Sequence, residues 1–77
     1  MKITRDTKVF ITGCGGMLGK AVYEKFSSFC QVLATDIDVN EQWLEYGDVA
    51  DFQKISEKTF KFEPDLIINL AALTDLE

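Results

Sequence analysis

The sequence has no histidine, a single proline, two cysteines and no long apolar run. No histidine, and carboxylates that do not fall at metal-ligand spacing, leave no metal site to expect. Two cysteines, Cys14 and Cys30, are too few for a disulfide framework and read as reduced thiols of a cytoplasmic protein. No apolar stretch approaches the roughly 20 residues that span a bilayer, and Arg5, Asp6 and Lys8 interrupt any secretory core at the N-terminus. Positive charge is also scarce, with 8 Lys and Arg against 13 Asp and Glu, a net charge of −5. That balance argues against nucleic-acid binding, because phosphate contacts need clustered cations. At 77 residues there is room for one domain only.

What remains is a folding composition. Hydrophobic residues make up 47% of the chain, which argues against disorder. Val9, Phe10 and Ile11 form a short apolar run suited to a strand buried on both faces. Leu18, Val22, Phe26 and Phe29 then recur at helical spacing, predicting an amphipathic helix over 16–28. Val32–Ala34 read as a second strand finishing on Thr35 and Asp36, residues 37–43 as an acidic loop, and Leu44–Tyr46 as a weak third strand. A second helix is expected over 51–60, with Asp51 as N-cap and Phe52, Ile55 and Thr59 on one face. Pro64 ends it, and Leu66–Leu70 supply the most apolar strand. Strands alternating with helices indicate parallel βαβ units, an α/β half-Rossmann layer.

Four of the five glycines crowd into Gly13-Cys14-Gly15-Gly16-Met17-Leu18-Gly19. GxxxxGK[ST] fails there, because Cys14 and Ala21 stand where a glycine and a hydroxyl are needed. GxGxxG fails because Leu18 replaces its last glycine. GxxGxxG fits at Gly13, Gly16 and Gly19, after a strand and at the start of a helix. In that setting one glycine turns the chain, one lets backbone approach a pyrophosphate, and one packs helix on strand. The first N–H groups of the helix, with the dipole behind them, then hold the phosphates. Asp36 ends the second strand 23 residues after Gly13, where such folds place a carboxylate for the adenosine ribose hydroxyls. Asp38 is close by, and no Lys or Arg lies between Asp36 and Asp51. A 2′-phosphate would therefore meet carboxylates without a cation, favouring NAD(H) over NADP(H).

Three further features have plainer readings. Cys14 stands near the positive end of a helix, where a thiol's pKa can be depressed; the simpler reading is a small side chain tolerated beside a cofactor. Trp43 is expected as a buried anchor beneath the acidic loop. Phe26, Phe29, Phe52, Phe60 and Phe62 read as helix-face core, since no basic residues interleave with them as in an RNA-binding surface.

Thr12-Gly13-x-x-Gly16-x-x-Gly19, then Asp36, then Gly47-Asp48-Val49-x-Asp51, then the run Pro64–Thr74 resembles the opening of an extended short-chain dehydrogenase/reductase. Gly16–Gly19 and Ile68-Asn69-Leu70-Ala71-Ala72-Leu73-Thr74 are similar to the dTDP-4-dehydrorhamnose reductase branch, whose members act on nucleotide-activated sugars. The resemblance implies a partial Rossmann fold with sheet order 3-2-1-4 and helices on both faces. It implies Gly13, Gly16, Met17, Leu18 and Gly19 as the pyrophosphate loop and Asp36 as the ribose ligand. Asp48 and Val49 would read the adenine edge, and Ala71, Ala72, Leu73 and Thr74 would line the nicotinamide side; tight strand-to-helix packing accounts equally well for the two alanines. The expected function is the dinucleotide-binding segment of an oxidoreductase that reduces a nucleotide sugar. An epimerase or dehydratase of the same superfamily, or a non-catalytic nucleotide-sensing subunit, are the alternatives.

The departure from the pattern is one of length. The Tyr-x-x-x-Lys of these enzymes is not found, since Ser27 follows Tyr23 and Ala50 follows Tyr46 at that spacing. No catalytic residue is assigned, and residues 1–77 read as the N-terminal portion of a longer enzyme whose substrate-binding part lies elsewhere. The fourth strand is then expected to be an exposed apolar edge that promotes self-association.

Overall fold

A computed structural model describes residues 3–70. The elements run β1 (Lys8–Thr12), α1 (Met17–Ser27), β2 (Gln31–Asp36), β3 (Leu44–Tyr46), α2 (Phe52–Phe62) and β4 (Leu66–Asn69). The four strands form one parallel sheet in the order β3-β2-β1-β4, the partial Rossmann arrangement expected.

Register divides the side chains into two faces. Val9 lies beside Val32 and Leu66, and Ile11 beside Ala34 and Ile68, with Ala34 beside Leu44. These residues form one apolar cluster with Val22, Tyr23 and Phe26 of α1. The alternate row, Phe10 with Leu33 and Ile67, points the other way, and Leu33 borders a groove formed with Lys54, Lys58 and Phe62 of α2. The two helices therefore cover opposite faces, as right-handed crossovers in opposite directions require. Central β1 is buried along Val9–Thr12, which is why its sequence is continuously apolar rather than alternating.

The helix ends follow local chemistry. Asp51 Oδ1 accepts a hydrogen bond from the Lys54 N–H and caps α2. At the other end Glu63 takes a left-handed conformation (φ 53°), its N–H bonding the Thr59 carbonyl, and Pro64 follows. The helix runs two residues beyond its expected end because Lys61 and Phe62 precede that stop rather than form it.

The phenylalanines depart from expectation. Phe52 and Phe60 are 81% and 84% exposed and are not core, and Phe29 is also exposed. The half-buried residues of α2 are Ile55, Ser56, Lys58, Thr59 and Phe62; helical rotation carries Phe60 to the far side of their stripe and Phe52 to its margin. Trp43 is half-buried rather than buried, and anchors its loop by stacking on Tyr23 of α1 (centroids 4.0 Å apart, planes at 11°).

Among the described residues β3 and β4 are the sheet edges, and Ile67 of β4 is exposed. No helix among them is long and apolar enough to cross a membrane.

Candidate functional site

The sheet's strand order reverses direction beside β1, and the carboxyl ends of β1, β2 and β3 open onto one cavity. In open α/β sheets this is where ligands bind. The cavity holds about 470 Å3 and is lined by Gly13, Gly15, Gly16, Asp36, Ile37, Asp38 and the segment Gly47–Ala50. Its size falls within the roughly 300–1,000 Å3 of small-molecule sites.

The glycine turn forms one wall. Gly13 has φ 73°, a conformation that side chains strain against, so the chain reverses directly after β1. The Cys14 N–H donates to the Thr35 carbonyl at 3.0 Å, extending the β1–β2 ladder into the turn. Gly16 is the N-cap of α1; no side chain caps the helix, and its first turn holds no acidic residue. The opening N–H groups of α1 are thus left to a ligand or solvent. A Cβ at Gly16 would meet nothing within 4 Å, whereas one at Gly19 would overlap the Cys14 backbone. These two glycines serve different needs: open approach at the helix start, and close helix-to-loop contact one turn later.

Asp36 forms the second wall. Its Oδ2 accepts from the Gly15 N–H at 2.8 Å and its Oδ1 from the Asp38 N–H at 2.9 Å. Two backbone donors fix the carboxylate at the mouth of the glycine turn. Asp48, after β3, forms the third: its Oδ1 accepts from the Ala50 N–H and its carbonyl from the Asp51 N–H, both at 2.9 Å. This Asx turn sets Val49 and Ala50 against the cavity immediately before α2. The lining therefore carries three carboxylates, Asp36, Asp38 and Asp48, and no Lys or Arg.

The loop over 37–43 is tethered to α1 and the turn. Asn40 Nδ2 donates to the Gly15 carbonyl at 3.3 Å, Lys20 lies 4.0 Å from Glu41, and Trp43 stacks on Tyr23. The exposed ion pair adds little; the stack and the hydrogen bond hold the loop.

Cys14 behaves opposite to the depressed thiol that its helix-end position allows. It is fully buried, its Sγ donates to the Gly19 carbonyl at 3.2 Å, and its pKa is pushed up to about 11 by burial and, secondarily, by the Asp36 charge. The thiol is neutral at physiological pH and is a packing group, not a nucleophile.

Of the residues singled out from sequence, Gly13, Gly16, Asp36, Asp48 and Val49 line one cavity. Gly19 lies beneath the turn, and Met17 and Leu18 sit exposed (92% and 58%) on the first turn of α1, outside the cavity lining. Ala71, Ala72, Leu73 and Thr74 lie outside the described residues. Sequence reasoning missed Gly15 and Asn40. The one local hint of Gly15 is that it is a glycine which GxxGxxG does not require. Among the described residues no group of three His, Cys, Asp or Glu is placed to hold a metal.

No model of a known protein family matches the chain, and no curated protein matches it either.

Proposed function

We propose that the chain binds a nicotinamide dinucleotide, NAD(H) in preference to NADP(H), as the cofactor-binding segment of an oxidoreductase acting on a nucleotide-activated sugar. The observation that carries the reading is the Asp36 carboxylate, held by two backbone N–H groups beside a glycine turn and an uncapped helix N-terminus. A fixed carboxylate accepts from ribose hydroxyls; a helix N-terminus without side-chain cap or acidic residue favours pyrophosphate. Gly13 and Gly16 leave room for that approach, with Met17, Leu18 and Gly19 completing the phosphate-binding turn. Asp48 and Val49 face the adenine. Cations are missing from the lining, so a 2′-phosphate would have only Asp36, Asp38 and Asp48 to meet.

The sugar-nucleotide part of the reading rests on the sequence pattern alone, and keto reduction would need catalytic groups that this chain is not assigned. The free thiols Cys14 and Cys30 accord with a cytoplasmic location.

The test is a titration of the chain with NADH and with NADPH, following nucleotide fluorescence excited through Trp43, the single tryptophan. Saturable binding that favours NADH and weakens at least tenfold in Asp36→Ala is expected. Equal binding of both nucleotides, unchanged in that variant, contradicts the reading.

A further inference from the structure

Gly15 has a structural peculiarity that the phosphate-loop pattern does not explain. Its φ is not in the left-handed region, unlike that of Gly13, so backbone conformation does not demand glycine there. Space does. A Cβ built on Gly15 would lie 2.8 Å from Asp36 Cγ and 3.0 and 3.1 Å from its two carboxylate oxygens. The peptide is also held at both ends: the Gly15 N–H donates to Asp36 Oδ2, and the Gly15 carbonyl accepts from Asn40 Nδ2. The crowded atoms are the end of a short side chain, not backbone, so a larger residue at 15 would displace the carboxylate before it disturbed the sheet.

We propose that Gly15 is a specificity-determining positioning residue, which seats the Asp36 carboxylate against the glycine turn and thereby sets the preference for a free 2′-hydroxyl over a 2′-phosphate. The inference rests on the dinucleotide reading above and goes beyond it by naming what aims the carboxylate. Seated, the carboxylate uses one acceptor position on each oxygen for a backbone N–H and keeps the others for hydroxyl donors. A 2′-phosphate offers negative charge and no such donor. Displaced by a methyl group at 15, the carboxylate loses the Gly15 N–H and with it a fixed orientation. Affinity for NADH then falls, and the repulsion of NADPH, which depends on the same placement, falls with it.

The test measures dissociation constants for NADH and NADPH in the wild type, Gly15→Ala, Asp36→Ala and the double variant, with circular dichroism as the fold control. Gly15→Ala is expected to lower the NADH-over-NADPH preference about tenfold, the scale of one charge-assisted hydrogen bond. In the Asp36→Ala background the same substitution is expected to change nothing, because no carboxylate remains to displace. A preference unchanged by Gly15→Ala, in a wild type that favours NADH, overturns this inference and leaves the dinucleotide reading standing. Binding of neither nucleotide by the wild type defeats the reading and the inference together. If Gly15→Ala does not fold, the double variant decides: folding restored by removing the carboxylate supports the seat, and continued failure to fold overturns it.

Discussion

The two helices cover the same sheet on very different terms. On the α1 face, Gly19 is buried against the turn, and Val22, Tyr23 and Phe26 pack on a core of Val9, Ile11, Ala34 and Leu44. The loop over 37–43 is stitched to that helix by an aromatic stack. On the α2 face Phe10 and Thr12 of β1 and Thr35 of β2 are buried, but no residue of α2 itself is, and Phe52 and Phe60 are exposed. Six of the ten residues that line the candidate site belong to the tighter side, and Gly47–Ala50, on the approach to α2, come from the looser one. The better-packed half thus holds most of the groups proposed to bind, while the other half supplies a cover and one wall.

The sharpest way to break this contrast is Gly19→Ala. The added methyl group overlaps Cys14 backbone, which cannot move without dragging the turn. A loss of about 3 kcal/mol in unfolding free energy is expected from denaturant titration; a loss under about 1 kcal/mol would show the α1 side to be as loosely packed as the α2 side.

Next in size is a pH effect confined to the same turn. Burial raises the Cys14 pKa from the ordinary 9.0 to about 11, so the unfolded chain loses this proton first as pH rises. Stability contributed by the neutral thiol is present in full below pH 9, and about 2–3 kcal/mol is lost progressively up to pH 11. Cys14→Ala removes the group, so its stability should fall less steeply between pH 9 and 11 than that of the wild type. Parallel curves would contradict the buried, neutral thiol.

Two smaller effects probe the α2 side. Glu63→Gly relieves a left-handed residue at the end of α2 and should add about 0.5 kcal/mol, a gain from removing strain reduced by the entropy of glycine in the unfolded chain. Phe60→Gln should leave stability within about 0.5 kcal/mol and should lower any tendency of the chain to self-associate at high concentration, measured by sedimentation. Destabilisation beyond 1 kcal/mol would mean that Phe60 is packed.

The same division decides what could be read in the sequence. All six elements and their parallel pairing follow from local signals: an apolar run buried on both faces, a glycine cluster at its end, a capping aspartate and a proline stop; the strand order comes from the family resemblance. Phe52 and Phe60 mislead because an exposed phenylalanine on a helix is indistinguishable by composition from a packed one; only the rotation of the helix against the sheet separates them. Cys14 leaves two readings open for a related reason, and burial decides for the plainer one. Sequence places it near a helix N-terminus, but whether the dipole or burial governs its proton depends on depth, which sequence does not carry. Gly15 and Asn40 escape notice because their partners lie 21 and 25 residues away in the chain.

Dinucleotide binding at the glycine turn is tested most directly by mapping backbone amide shifts as NADH is added to the isotopically labelled chain. Perturbation is expected at Gly13, Gly15–Leu18, Asp36, Asp38 and Asp48–Ala50, with stationary signals along the C-terminal half of α2. Saturable binding whose perturbations fall instead on α2, or signals that do not move at all in the folded chain, would contradict it.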